Sequence, residues 1–90
     1  MEKTELIRSC SLQEAKEICL HFMEHFDDYE QEATHDGKFD LVPFFVEAYD
    51  LLDKFCHLMN NGANLTIRDR NTIRTTIKFT ERLALYELSV

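Results

Sequence analysis

Two histidines one helical turn apart, His21 and His25, have the residue type and the spacing most suited to chemistry. They open a stretch, HFMEHFDDYEQEATHD, that holds three histidines and six carboxylates. Imidazoles at positions i and i+4 point the same way from adjacent helical turns and can bind zinc together. The zinc-protease pattern also needs a glutamate directly after the first histidine, where this chain has Phe22. Unless the fold brings His35 or His57 close, we expect a hydrated pair, no metal and no cofactor.

A row of carboxylates on the same segment is the second candidate site. Its members are Glu24, Asp27, Asp28, Glu30 and Glu32, called the acidic face below. Such a row is most often a solvated helix surface that keeps a protein soluble. It can also occupy a basic groove on another protein, including a groove that normally holds nucleic acid. The spacing is helical and interrupted by histidines, so it does not match paired phosphate strands.

A basic stripe, Arg70, Arg74, Lys78 and Arg82, follows strict four-residue steps near the end of the chain. A recognition helix could present such a row to phosphates. The net charge of −7 opposes that approach, and the stripe lacks side chains that read base edges. We therefore expect the stripe to pair with the acidic flank of the first long helix, within the chain or across a dimer. Direct nucleic-acid binding is not expected.

Signatures of catalysis are lacking in the sequence. A phosphate-binding loop needs several glycines, and this chain has only two, which its turns also require. The sequence contains no nucleophile elbow either. Cys56 directly precedes His57, but neighbouring helical residues point about 100° apart and do not form a nucleophile–base pair. We expect no catalytic residue, and hence a protein that is not an enzyme.

The cysteines and the apolar segments indicate the cellular compartment of the protein. Cys10, Cys19 and Cys56 are odd in number and form no CxxC motif, which suits reduced thiols. The first residues, MEKTELIRSC, lack the apolar core of a signal peptide, and no apolar run is long enough to span a membrane. We expect a cytoplasmic protein.

Composition favours a single helical domain over residues 1–90. The chain is 44% apolar and 30% charged, with two glycines and one proline in 90 residues. So few turn-forming residues indicate long helices and short connections. The apolar spacing predicts helices over about residues 11–33, 41–60 and 66–88. Ser11 and Thr66 each begin a capping-box pattern, while Asp40 is the expected cap before Pro43 in the first turn of the middle helix.

The apolar arcs of the second and third long helices are wider than a surface helix needs. The excess apolar surface could be covered by a short helix over residues 2–9, by a second copy of the chain, or by another protein. We predict an all-α, three-helix antiparallel bundle with a short N-terminal lead, completed by homodimerisation. The expected apolar anchors for a partner are Phe45, Tyr49, Phe79, Leu83 and Tyr86.

The expected function is that of a small acidic regulatory module that binds a larger protein. One alternative is an acidic inhibitor that imitates nucleic acid, of the kind encoded by phages and mobile elements. A second alternative is a metal-responsive helical protein that uses His21 and His25.

Overall fold

The computed structural model describes residues 3–88, and all regular secondary structure in that range is helical. A short helix, α1 (Lys3–Leu6), precedes three long ones: α2 (Leu12–His35), α3 (Val42–Asn60) and α4 (Ile67–Glu87). The predicted all-α class is confirmed, and each long helix begins and ends within two residues of its expected position. The short helix considered over residues 2–9 is α1 in part, and Glu2 lies outside the described residues.

Side-chain caps begin α2 and α4 where the sequence predicts them. The Ser11 hydroxyl accepts a hydrogen bond from the Glu14 amide at 3.2 Å and lies 3.2 Å from the Glu14 carboxylate, to which it donates. At α4 the capping box is reciprocal. The Asp69 amide donates to the Thr66 hydroxyl at 3.0 Å, and the Thr66 amide donates to the Asp69 carboxylate at 3.1 Å. Amide groups that have no partner within the helix are thereby satisfied.

The start of α3 differs from the prediction. The N-cap is Leu41 instead of Asp40, and it makes no side-chain capping hydrogen bond, while Pro43 does lie in the first turn. Leu41 is buried in an apolar cluster, and the amides of Leu41 and Val42 donate to carbonyls three residues back. Burial of Leu41 and this tight turn set the entry into the helix, so an exposed aspartate cap is not needed.

Glycines end α2 and α3 in the same way. Gly37 and Gly62 have φ angles of 74° and 84°, a left-handed conformation that a residue without Cβ adopts at little cost. At the first turn the Lys38 amide donates to the Ala33 carbonyl at 2.8 Å, which is the long bond of a Schellman motif. The Ala63 amide makes the equivalent bond at the second turn. Each turn therefore ends its helix by satisfying a carbonyl group of the last helical turn.

The core lies between the three long helices and also includes residues of the N-terminal segment (residues 3–10). Ile7 is completely buried there beside residues of α2, α3 and α4. The largest fully buried side chains are Phe26, Phe45, Ile7, Leu52, Ile73 and Ile77. A smaller cluster joins the end of α2 to the start of α3 and the end of α4. The N-terminal segment is therefore part of the folded core.

Candidate functional site

Exposed aromatic rings flank a groove between α3 and α4, which we call the α3–α4 face. Phe44 on α3 is 49% exposed and Phe79 on α4 is 58% exposed. The groove has a volume of about 320 Å³. Its other lining residues are Glu47, Ala48, Leu51, Thr75, Thr76 and Thr80. Large apolar side chains left in water at a concave surface are a common mark of a protein interface.

The predicted apolar anchors do not share one surface. Phe79 lines the α3–α4 face, Leu83 is half-buried against the smaller core cluster, and Tyr86 is 74% exposed on α4. Phe45 has no exposed surface, and its ring lies 5.5 Å from that of Tyr29 between centroids. Phe45 is therefore a core residue and presents no surface to a partner.

Tyr49 lies on the opposite side of α3, in a second groove that we call the α2–α3 groove. Its apolar side chains are Leu20, Met23 and Tyr49, and its remaining lining residues are Glu17, His21, Glu24 and Asp27. The volume of this groove is about 510 Å³. The structure thus places an expected apolar anchor beside two expected acidic residues. Leu20 was absent from the sequence-based candidates, although a leucine outside the apolar seam of α2 was the signal for it.

The acidic face is largely open to solvent. Glu24, Asp27, Asp28 and Glu32 are exposed, and Glu30 is half-buried. Within residues 3–88, no lysine or arginine forms an ion pair with any of the five, since the cationic side chains that do form ion pairs contact Glu5. The charge of this face is therefore not neutralised by the rest of the described chain.

The basic stripe contacts the N-terminal segment, which is not the partner expected from the sequence. Arg70 donates to the backbone carbonyls of Ile7 and Cys10 at 3.0 and 2.8 Å. Arg74 and Lys78 both bind the Glu5 carboxylate, at 2.9 and 2.6 Å. The fourth member, Arg82, is exposed. Three of the four cations therefore hold α1 and the residues after it against α4, which leaves them poorly placed to contact phosphates.

The histidine pair belongs to a contact between α2 and α4. His25 Nδ1 lies 3.1 Å from a Glu81 carboxylate oxygen, and the Tyr29 hydroxyl donates to the other oxygen at 2.5 Å. The His21 and His25 rings lie 4.4 Å apart between centroids. Burial lowers the pKa of His21, and the nearby charges of Lys3 and His25 lower it further. Across the described residues, His, Cys, Asp and Glu side chains do not gather in threes as a metal centre requires.

Cys56 and His57 point in different directions, as their adjacency on a helix predicted. The Cys56 thiol is buried 4.0 Å from the sulfur of Met23, and burial raises its pKa. His57 Nε2 lies 3.4 Å from the Asp53 carboxylate one turn earlier, with most of its side chain exposed. Among the described residues, His57 is therefore not positioned as a base for the Cys56 thiol.

Comparison with family models, with curated proteins and with solved structures gave no match to this chain. Function is therefore inferred from the two grooves and the charged surfaces alone. Over the described range, every helix is too short or too polar to cross a membrane.

Proposed function

We propose that the chain is a small, non-catalytic protein-binding module of the cytoplasm, built as a three-helix bundle and assembled as a homodimer. In this proposal the α3–α4 face joins the two copies, and the acidic surface of α2 binds a larger protein. The thiols of Cys10, Cys19 and Cys56 are all free, which supports a reducing compartment.

The observation that carries the proposal is the exposure of Phe44 and Phe79 on adjacent helices across one groove. Burying a phenylalanine completely is worth roughly 1.5–3 kcal/mol, and each of these rings still has about half of that burial to gain. A two-fold interface uses the same patch on both copies, so it covers four such rings at once.

Charge on α4 also favours a second copy at this face. The exposed stripe that contains Phe79 continues through Thr72 and Thr75 in one direction and Tyr86 in the other, without a carboxylate. Two chains that each carry a net charge of −7 repel one another over most of their surfaces. They can approach along this stripe of α4 without setting its side chains against carboxylates of the same stripe, although Glu47 of α3 also lines the groove.

Sedimentation velocity over a range of concentrations tests the dimer. The wild type should sediment as a dimer, and Phe79→Lys should be a monomer because a charge in the interface must be desolvated. Leu85→Lys is the matched control, since Leu85 is 63% exposed on α4 but lies outside the groove. A wild type that remains a monomer, or equal losses in both variants, would contradict the proposed interface.

Binding of a larger protein is tested by capture from a cell lysate on the immobilised wild type. A matched bait, Glu24→Lys with Asp27→Lys, reverses two charges of the acidic face. We expect a partner that the wild-type bait retains and this variant loses. A partner retained equally by both baits would show that this part of α2 is not the contact.

One observation favours the inhibitor that imitates nucleic acid as a second candidate. The basic stripe is occupied by Glu5 and the backbone of the N-terminal segment, so the acidic face stays un-neutralised within the described chain. An acidic surface of this kind can compete with DNA or RNA for a basic groove. Elution of the captured partner by duplex DNA or by RNA would distinguish this candidate from an ordinary regulatory contact.

A further inference from the structure

The α2–α3 groove combines an apolar floor with an acidic rim. Leu20 is 50% exposed and Tyr49 is 37% exposed, and the side chain of Met23 closes the bottom of the groove between them. These side chains come from two neighbouring helices, so the groove lies between α2 and α3. A groove between two helices is a common binding site for a helix from another protein.

Glu17, Glu24 and Asp27 supply the rim, and all three are exposed. Two of them accept hydrogen bonds from glutamines one turn away: Gln13 donates to Glu17 at 3.3 Å, and Gln31 donates to Asp27 at 3.1 Å. Those bonds leave the negative charges in place. An incoming helix that lays apolar residues on the floor must therefore bring cations to the rim.

A second copy of the chain is poorly suited to supply that helix. The most basic helix is α4, and three of its cations already bind the N-terminal segment. The exposed stripe of α4 that remains is mainly uncharged, which suits the α3–α4 face better than an acidic groove. The occupant is thus expected to be a different protein.

We propose that the α2–α3 groove binds a cationic amphipathic helix of the larger partner, with Leu or aromatic residues over Leu20 and Tyr49 and Lys or Arg beside Glu24 and Asp27. The inference rests on the proposed function, because it names the chemistry of the partner that the module binds. A nucleic-acid enzyme whose groove recognises charge alone would make no use of the apolar floor. The floor therefore favours an amphipathic helix as the partner.

The test uses a fluorescent synthetic peptide of about 18 residues, five turns of helix, with a leucine stripe and lysines elsewhere. A second peptide has the same composition in an order that abolishes the stripe. Fluorescence anisotropy should show binding of the first peptide and at least tenfold weaker binding of the second. Equal affinities would show that only net charge is recognised, and would overturn the proposal.

Variants of the protein then locate the site. Glu24→Lys with Asp27→Lys should weaken binding of the striped peptide at least tenfold, and Leu20→Ser should do so without changing any charge. The control pair, Asp40→Lys with Glu87→Lys, makes the same change in net charge at exposed positions that do not line the groove. Exposed charges are screened over about 8–10 Å, so the control should lose far less affinity. Equal losses from the two charge-reversed pairs would overturn the groove as the site.

Phe79→Lys separates this inference from the dimer. If that variant is a monomer and still binds the striped peptide with wild-type affinity, the two surfaces are independent, as proposed. If Phe79→Lys abolishes peptide binding while Leu20→Ser preserves it, the peptide binds at the α3–α4 face and the inference is wrong, although a protein-binding module remains. If Leu20→Ser dissociates the dimer, the α2–α3 groove is the contact between copies and the inference is again wrong.

Discussion

Glu5 and Arg74, 69 residues apart in the chain, form an ion pair that fastens α1 to the middle of α4. The guanidinium donates from Nη2 to Glu5 Oε1 at 2.9 Å and from Nε to the two carboxylate oxygens at 3.2 and 3.3 Å. Lys78 is a second cation on the same carboxylate, and its Nζ donates to Glu5 Oε1 at 2.6 Å. The hydrogen bonds lower the pKa of Glu5 from its ordinary 4.5 to about 2, and those from Arg74 have a larger effect than the one from Lys78.

Glu5→Gln should lower the free energy of unfolding at neutral pH, and the loss should depend on pH. Because the pKa is lower in the folded state, ionised Glu5 stabilises the fold above about pH 4.5, and this contribution disappears as the pH falls towards about 2. Urea unfolding across that range should show the wild type and the variant converging. Asn71→Ala, an exposed substitution on α4 that changes no titratable group, is the control and should shift stability equally at every pH. A difference between wild type and Glu5→Gln that stays constant with pH would contradict the assignment.

Ile7→Ala tests whether the N-terminal segment is part of the core. The side chain is completely buried in the main apolar cluster, and truncating such a residue typically costs about 2–5 kcal/mol. Urea unfolding should report a loss in that range, a large fraction of the stability of a small domain. Leu85→Ala, at an exposed position on α4, should change stability by less than about 0.5 kcal/mol. A similar small effect for Ile7→Ala would show that the segment does not pack in the core.

The helices could be predicted because local chemistry defines them. Ser11 and Thr66 cap their helices through bonds to the third residue after them, and Gly37 ends α2 through its left-handed conformation. Apolar spacing of three and four residues placed the buried side chains of α2 on one face. The predicted N-cap of α3 was wrong because burial of Leu41, a tertiary effect, replaced the cap that Asp40 would have made.

The surfaces were less predictable because they depend on which helices become neighbours. The basic stripe on α4 was visible in the sequence, but its partner Glu5 lies at the far end of the chain, where spacing gives no register. Phe45 and Tyr49 share the wide apolar arc of α3, yet the packing of α2 buries the first and leaves the second 37% exposed. A helical wheel shows the width of an arc and not how much of it the neighbouring helices cover.

Thiol labelling should separate the three cysteines. Cys10 is half-buried, whereas Cys19 and Cys56 are buried, and burial raises the pKa of Cys19 to about 12. Since the thiolate is the reactive form, a disulfide reagent at mildly alkaline pH should modify Cys10 first and the other two only as the protein unfolds. Cys10→Ser should remove the rapid phase. Three thiols that react at one rate in the folded protein would contradict the buried placement of Cys19 and Cys56.

Tyr29→Phe should destabilise the contact between α2 and α4 in a way that disappears at high pH. The Tyr29 hydroxyl donates to the partly buried Glu81 carboxylate, and loss of such a bond costs about 1 kcal/mol. Burial raises the pKa of Tyr29 above its ordinary 10, and the hydrogen bond and negative charge of Glu81 raise it further. The neutral phenol therefore stabilises the fold below about pH 10, and this contribution is lost as the pH rises beyond that value.

Urea unfolding at neutral pH and above pH 10 checks this expectation, with Tyr86→Phe as the control because Tyr86 is an exposed tyrosine of α4. The stability of the wild type should fall more steeply with alkaline pH than that of Tyr29→Phe, whereas Tyr86→Phe should follow the wild type. Parallel alkaline profiles for the wild type and Tyr29→Phe would mean that Glu81 does not hold the Tyr29 proton in solution. The link between α2 and α4 would then depend on apolar packing and on the His25–Glu81 contact alone.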